Sequence, residues 1–213
     1  MKRTKIIAAV LCASMLAGFA GCSNGSVDNS VASETQTEST ATEMETTEAE
    51  TEAPSAVDSG VDYLEGFTKF ELTSTDLVNG VWADSISNTE RGTNASPELK
   101  WKAVDGAAEY VIYMVDMNTN GFIHWKSIGI TDTEIPSGWA PSSDFIGPWP
   151  APGDTHIYDV YVIALKEPVE RLKGGLNGSN PKFVEFIQGL DTDSEGNTGN
   201  IIAYGKLSGS FTA

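Results

Sequence analysis

The chain contains only two histidines, His124 and His156, and each stands at the edge of a segment with the composition of a β-strand. His124 lies in Gly-Phe-Ile-His-Trp, and His156 lies near the end of a proline-rich stretch, residues 145–158. An imidazole donates a hydrogen bond in either protonation state and carries a positive charge when protonated. Two isolated histidines in such similar positions predict one shared site, and its chemistry would suit an anion.

Other interpretations of these residues stay open. The histidines could be partly buried side chains whose nitrogens are satisfied by backbone groups. Two histidines and one carboxylate also match a non-haem iron or zinc set, although the sequence has no third histidine. The segment Asp191-x-Asp193-x-Glu195-Gly196 resembles the opening of a calcium loop, but Ile202 occupies the position that needs a bidentate glutamate. We therefore predict a solvated loop there, and weak calcium binding is the alternative.

The first 21 residues have the features of a secretory signal peptide. A basic start is followed by an apolar run at residues 6–11 and by small residues up to Gly21, and the apolar run is too short to span a membrane as a stable helix. The end of this segment, Phe19-Ala20-Gly21-Cys22, is similar to the lipobox of bacterial lipoproteins. The similarity implies cleavage before Cys22 and a lipid on its thiol. An ordinary secreted protein with a free N-terminal cysteine is the alternative interpretation.

Residues 22–60 are rich in Ser, Thr, Glu and Ala, with nine acidic residues and no lysine or arginine. Such a segment cannot bury enough apolar surface to offset the entropy lost on ordering. We predict that it is a disordered acidic tether that starts at lipidated Cys22 and holds the rest of the chain off the bacterial cell surface. An acidic interaction tail is the alternative. Residues 61–213 have the size of one domain.

The charge of this domain excludes one class of partner. Of the 30 acidic residues in the chain nine lie in the tether, and of the 13 basic residues three lie in the signal peptide. The domain is left with 21 acidic and 10 basic residues, a net charge of about −11. Because nothing would neutralise the phosphates of a backbone, we expect no nucleic-acid binding.

The hydrophobic pattern of the domain is typical of a mainly β protein. Residues 108–116 are almost continuously apolar, which is typical of a strand buried on both faces, and residues 122–130 have the same character. Further strands are predicted at 70–73, 81–83, 98–101, 157–165 and 201–211, the last with breaks at Gly205 and Gly209. Many strands separated by turn residues indicate a β-sandwich or barrel.

Two short helices are predicted late in the chain. Residues 168–173 could form one or two turns. Residues 180–190 give a stronger signal, because Asn180 suits the N-cap and Pro181 suits the first helical position. The same segment has an apolar face, made of Phe183, Val184, Phe186, Ile187 and Leu190.

Four motifs in order resemble those of the phosphatidylethanolamine-binding protein family, in its bacterial, Raf-kinase-inhibitor-like branch. Residues 92–101, Gly-Thr-Asn-Ala-Ser-Pro-Glu-Leu-Lys-Trp, are similar to that family's Gly-x-Asn-x-Ser-Pro-x-Leu-x-Trp signature. Asp116 with the later His124-Trp125, and residues 147–158, resemble its two pocket segments. Residues 205–211 are similar to its closing strand. The likeness covers nearly all of the domain.

The resemblance implies a Greek-key β-sandwich of two antiparallel sheets with one or two short peripheral C-terminal helices. It also implies a small pocket for phosphate-type anions or phosphorylated headgroups. In such a pocket the two imidazoles, a tyrosine hydroxyl and a backbone N–H of Gly147 would surround one phosphate, and Asp116 would orient an imidazole from behind. The implied ligand-binding residues are Asp116, His124, Gly147, Pro148, His156 and Tyr158. One departure is that Met117 and Asn118 replace the family's Pro and second Asp.

Two functions from different classes follow as expectations. The first is a surface-anchored binding protein for a small phosphorylated or anionic ligand. The second is an extracytoplasmic protein-interaction module such as a protease or hydrolase inhibitor. The folded part would have no cysteine nucleophile, because Cys12 would leave with the signal peptide and Cys22 would carry the lipid. No Gly-x-Ser-x-Gly motif or Gly-rich phosphate loop occurs. We therefore expect no catalytic residues and no cofactor, although hydrolysis by Asp116 and His124 stays open.

Overall fold

The computed structural model describes residues 57–213. The predicted signal peptide, the predicted lipidation site at Cys22 and most of the predicted tether lie outside the described residues. The last four tether residues, 57–60, are described, and Ser59 Oγ donates a hydrogen bond to Asp159 Oδ2 at 2.6 Å. No helix within residues 57–213 has the length and apolar character needed to cross a membrane.

The fold is mainly β, as predicted, and contains nine strands within the described part of the chain. Six of them form one sheet in the order β2-β3-β9-β8-β5-β6, and three form a second sheet in the order β1-β4-β7. Neighbouring strands are antiparallel except for a short parallel pairing of β3 with β9. The strands are β1 (Leu72–Thr73), β2 (Leu77–Val78), β3 (Val81–Trp82), β4 (Leu99–Trp101), β5 (Glu109–Asp116), β6 (Phe122–Ile130), β7 (Glu134–Ile135), β8 (Thr155–Leu165) and β9 (Ile201–Thr212).

Strand β5 lies inside the larger sheet and is buried on both faces, as its continuous apolar run predicts. Ile112 and Met114 pack into a core shared with the smaller sheet, where they meet residues such as Leu99. Val111 and Tyr113 point to the opposite face and pack in a second core. Successive side chains of a strand alternate between faces, so one sequence run supplies both cores.

The second core is covered by irregular segments and by one short helix, α1 (Phe183–Gln188), which is followed by a 3₁₀ turn at Gly189–Asp191. Phe183 and Ile187 are the buried residues of α1. The predicted helix at residues 168–173 is wrong, because those residues form no helix. The predicted N-cap is wrong too, because Lys182 precedes the first helical residue and makes no side-chain cap.

The Asn180 side chain makes hydrogen bonds to the backbone of its own loop instead of capping the helix. Its Nδ2 donates to the carbonyl oxygens of Gly178, Gly175 and Gly121 at 2.7, 3.0 and 3.1 Å, and its Oδ1 accepts from Gly175 N–H at 2.8 Å. The side chain therefore satisfies the backbone of its own loop and fixes that loop against Gly121 at the start of β6.

Strand β9 runs without a break through Gly205 and Gly209, so the predicted interruptions are wrong. A Cβ at Gly205 would lie 2.5 Å from the Phe70 ring, and one at Gly209 would lie 2.6 Å from Trp82 Nε1. Both glycines are therefore places where large aromatic side chains pack directly onto the strand backbone.

Candidate functional site

The two histidines lie at one end of the larger sheet, on the strands that flank β5. Asp116, the last residue of β5, pairs with Phe122 of β6 on one side and with Tyr158 of β8 on the other. His124 follows Phe122 by two residues, and His156 precedes Tyr158 by two. Strand register therefore brings together residues that are up to 42 positions apart in sequence, at one end of the sheet.

These residues line a cavity of about 190 Å³ at the end of the sheet. Of the six residues predicted to bind a ligand, four line it, namely Asp116, His124, His156 and Tyr158. The other lining residues were not predicted, and they are Thr119, Phe122, Trp149, Pro150 and Ala151. Phe122 could have been found from the sequence, because it lies two positions from His124, and Trp149 lies inside the proline-rich stretch.

Asp116 is almost fully buried, and both of its carboxylate oxygens are engaged. Oδ2 lies 2.7 Å from His156 Nδ1, and Oδ1 accepts the backbone N–H of Asn118 at 2.8 Å. Asn118 in turn accepts the N–H of Ile157 through its Oδ1 at 2.7 Å. Asn118, which departs from the family pattern, thus joins the ends of β5 and β8 beside the histidine that Asp116 orients.

His124 is 3% exposed, and its Nδ1 lies 2.8 Å from the carbonyl oxygen of Ile146. Burial of the ring lowers the pKa of His124 from its usual value of 6.5, which outweighs the opposite effects of the Ile146 carbonyl and the Asp116 carboxylate. The ring is therefore neutral at pH 7. The interpretation of a histidine satisfied by the backbone holds for Nδ1 only.

Aromatic rings surround the His124 imidazole. Their centroids lie 4.9 Å away for Phe122, 5.1 Å for Tyr158 and 5.3 Å for Trp149. The latter two meet the imidazole edge to face. These rings form a largely apolar wall, which strengthens any hydrogen bond made inside the cavity.

Several polar atoms of the lining residues have no protein partner within residues 57–213, and three of them belong to residues that were predicted to bind a ligand. His124 Nε2, His156 Nε2 and the Tyr158 hydroxyl have no hydrogen-bond partner within residues 57–213, and none of the three is sealed from solvent. Burial also raises the pKa of Tyr158, so that its hydroxyl stays protonated over the whole neutral range. The arrangement can hold a small polar group by hydrogen bonds from three directions.

Gly147 and Pro148 do not line the cavity, which corrects the expectation that a Gly147 N–H would contact an anion. That N–H donates to Asn94 Oδ1 at 2.6 Å. A Cβ at Gly147 would lie 1.9 Å from the carbonyl oxygen of Ile86, so only glycine fits there. The carbonyl of Pro148 accepts the N–H of Asn88 at 2.9 Å. Both residues position the loop that carries Trp149 and Pro150.

Among residues 57–213, no lysine or arginine lines the cavity and Asp116 is its only acidic residue, which is unusual for a phosphate site. Within residues 57–213, no three His, Cys, Asp or Glu side chains are grouped so that they could hold a metal ion. In the acidic loop, Oδ1 of Asp193 accepts hydrogen bonds from the backbone N–H groups of both Glu195 and Asn197.

A larger groove, about 700 Å³, lies on another part of the surface beside residues 57–62 and 206–208. Its two lysines are already paired. Lys69 Nζ lies 2.7 Å from Asp62 Oδ2, and Lys206 Nζ lies 3.1 Å from Asp159 Oδ2. The smaller cavity is the better candidate site because its polar atoms are free.

No family model matches the sequence, and no curated protein matches it. Two solved structures are similar in fold. The structure of E. coli YbcL, described as a new member of the mammalian PEBP family, has a TM-score of 0.51 at 22% identity. That of CT736 from Chlamydia trachomatis, described as a putative phosphatidylethanolamine-binding protein homolog, has a TM-score of 0.50 at 18% identity. Each match covers 68% of this chain and 99% of the other. The predicted fold, a mainly β phosphatidylethanolamine-binding protein fold with two sheets, is confirmed.

Proposed function

We propose that this chain is a surface-anchored binding protein whose cavity at Asp116, His124, His156 and Tyr158 takes a small phosphate-type anion or a phosphorylated metabolite or headgroup. One observation carries the proposal. Three polar atoms on nearly or partly buried side chains face one small cavity and have no protein partner within residues 57–213. A few polar groups that converge on one small, mainly apolar cavity and make no hydrogen bonds to the protein are typical of a ligand site.

The size of the cavity limits the ligand. Sites for drug-sized molecules usually measure at least about 300 Å³, whereas this cavity measures about 190 Å³. A phosphate group with a short substituent suits this volume, and any longer part of a ligand would extend past Pro150 and Ala151 into solvent.

The binding site is also held rigidly. Asp116 fixes the His156 ring, the Ile146 carbonyl fixes the His124 ring, and Tyr158 is 1% exposed within the core. Side chains that are ordered before binding lose little entropy when the ligand arrives, which favours affinity for a small group. The same rigidity supports a binding site more than a flexible protein-interaction surface.

The N-terminal sequence supports a location outside the cytoplasm, on the bacterial cell surface. Residues 1–21 have the pattern of a lipoprotein signal peptide, and the acidic residues 22–60 would separate the domain from the membrane. Replacing Cys22 with Ser is expected to move the protein from the membrane fraction to the soluble fraction. Retention of the Cys22→Ser variant in washed membranes would contradict lipid anchoring.

The binding proposal is tested by NMR titration with inorganic phosphate at pH 6 and pH 8. The chain has two histidines, so it has two Cε1–H resonances, and the variants His124→Asn and His156→Asn assign them. We expect both resonances to shift at millimolar phosphate, with tighter binding at pH 6, because protonation adds a charge-assisted donor. The absence of any histidine shift at both pH values would overturn the proposal.

A further inference from the structure

The hydrogen bonds of the two rings determine which of their nitrogens carry protons. The Ile146 carbonyl and the Asp116 carboxylate can only accept, so Nδ1 must be the donor in both His124 and His156. A neutral imidazole has one proton. In the neutral rings Nε2 is therefore a bare lone pair, and both lone pairs are available at the cavity.

The residues that line the cavity also carry two side-chain donors without a protein partner within residues 57–213, namely the Tyr158 hydroxyl and the Trp149 Nε1–H. Thr119 Oγ1, in contrast, donates to the backbone oxygen of Asp116 at 3.2 Å. The groups that face the rings are Asp116 from β5, Phe122 from β6, Tyr158 from β8 and Trp149 from the loop, and of these only Asp116 is charged. With neutral rings the side chains that line the cavity carry two Nε2 acceptors, the Tyr158 and Trp149 donors, and one carboxylate.

A fully deprotonated anion fits such a cavity poorly, because its oxygens would meet two lone pairs. An anion that keeps a P–OH group can donate to one Nε2 while another of its oxygens accepts from Tyr158. Building on the proposed function, we infer that the cavity selects phosphate groups that carry a proton, as inorganic phosphate and protonated phosphomonoesters do, over sulfate and phosphodiesters, which carry none at neutral pH.

A ring could take its proton from solution instead, and sulfate would then bind at the cost of proton uptake. Burial opposes this at His124, because it lowers the pKa of that ring. Sulfate binding should therefore depend more steeply on pH than phosphate binding. When a ligand cannot make one hydrogen bond to a charged or buried group of its site, its affinity falls by about tenfold.

The test compares inorganic phosphate, sulfate and dimethyl phosphate by calorimetry on the purified full chain at pH 7. Phosphate is expected to bind about tenfold tighter than the other two, and sulfate affinity is expected to rise by up to about tenfold per pH unit on acidification, as a one-proton linkage requires. Similar affinities for all three anions at pH 7 would overturn this inference and leave the proposed function standing. Binding of none would overturn the proposed function and this inference with it.

The variant Asp116→Asn tests whether the position of the proton on the His156 ring causes the preference for phosphate over sulfate. The Asn118 N–H requires an oxygen acceptor, so the new side chain must keep its Oδ1 there and turn its Nδ2 toward His156. Nδ2 is a donor, which forces Nδ1 to accept and moves the His156 proton to Nε2. The phosphate-to-sulfate affinity ratio should fall from about ten toward one. Asp154→Asn removes a charge from the exposed loop before β8 without touching either ring, and it should leave the ratio unchanged.

The pH dependence of sulfate binding to the unaltered chain keeps the inference testable if Asp116→Asn does not fold. A folded Asp116→Asn variant with an unchanged ratio would contradict the inference. Cosedimentation with phosphatidylcholine vesicles that contain phosphatidic acid separates lipid from soluble sources. If the protein binds the vesicles and inorganic phosphate displaces it, the natural ligand is a lipid phosphate group. If the protein binds phosphate but not the vesicles, the natural ligand is a soluble phosphomonoester. Both outcomes support the inference.

Discussion

The backbone N–H of Gly147 donates a hydrogen bond to Asn94 Oδ1 at 2.6 Å, which joins two loops 53 residues apart in sequence. Asn94 adopts a left-handed backbone conformation with φ of 55°. This conformation is one that asparagine tolerates better than other side chains. The loop of residues 87–97 therefore positions the loop that carries Trp149 and Pro150, through a contact outside the cavity.

Asn94→Ala is expected to destabilise the fold by about 2–3 kcal/mol, because it leaves a buried N–H unpaired and places alanine in a left-handed conformation. Asn79→Ala is the matched control. Asn79 has φ of 53° in an exposed turn, and the described structure gives its side chain no hydrogen bond, so it should lose only about 1 kcal/mol. Urea unfolding measures both. Equal losses would show that the hydrogen bond to Gly147 contributes nothing.

Gly205→Ala is expected to cost about 1–3 kcal/mol, because its Cβ would lie 2.5 Å from the Phe70 ring in a packed core. Gly189→Ala is the control. Gly189 has a helical φ of −65° and no atom within 4 Å of an added Cβ, so its substitution should be neutral or slightly stabilising. Thermal unfolding of the two variants separates a packing glycine from a permissive one. A Gly205→Ala variant as stable as the parent would contradict the packing argument.

The pattern of the sequence predicted those parts of the fold that depend on local chemistry. The run at β5 identifies a strand buried on both faces because apolar residues occupy both alternating sets of positions. Gly205 and Gly209 were misjudged because a glycine that admits a neighbouring ring has the same local sequence as one that breaks a strand. That distinction depends on Phe70 and Trp82, which are remote in sequence.

The site shows the same division. That the two histidines and Asp116 lie together could be predicted, because a resemblance of ordered motifs carries long-range information. The contact of Gly147 with Asn94 could not, because an N–H at a glycine is equally able to bind an anion or another loop. The Nδ1 partners of the rings, on which the proposed ligand selection rests, are a backbone carbonyl and a carboxylate from different elements.

Tyr158→Phe is expected to weaken phosphate binding by about tenfold with little change in stability, because the lost hydroxyl has no protein partner within the described residues. Tyr113→Phe is the matched control on the neighbouring strand. The Tyr113 hydroxyl donates to the Lys173 carbonyl at 2.8 Å on the other face of the sheet, so its loss should cost about 1 kcal/mol and leave binding unchanged. Calorimetric titration and urea unfolding together distinguish them. A Tyr158→Phe variant with undiminished phosphate affinity would remove this hydroxyl from the site.

The His124 ring is expected to titrate below pH 6.5, the value from which burial lowers its pKa. Because the unfolded chain then binds the proton more readily, this residue contributes stability that is fully present above pH 6.5 and is lost as pH falls below it. NMR of the Cε1–H resonance gives the pKa directly. His124→Asn, whose amide can still donate to the Ile146 carbonyl, should lose less stability between pH 7 and pH 5 than the parent chain. A His124 pKa above 6.5 would contradict the burial argument.

Asp159 and Lys206 form an ion pair in which Asp159 is fully buried and the Lys206 side chain is 11% exposed. Nζ and Oδ2 lie 3.1 Å apart. Asp159 also accepts hydrogen bonds from Ser59 and Ser208, and Lys206 Nζ donates to the Val61 carbonyl at 2.6 Å. The pair therefore holds the segment that enters the domain from the predicted tether.

Lys206→Met is expected to cost about 3–5 kcal/mol, because it leaves a carboxylate buried without its counter-charge. Lys69→Met, which breaks a 2.7 Å pair whose lysine is 62% exposed, should cost less than about 1 kcal/mol. Burial already raises the pKa of Asp159. The folded variant should therefore bind a proton more readily than the unfolded chain, and its deficit should shrink as pH falls from 7 toward 4. Urea unfolding across that pH range measures the loss of stability, and limited proteolysis at residues 57–62 measures the release of the entering segment. A loss of stability that does not change with pH would show that the buried Asp159 carboxylate is not its cause.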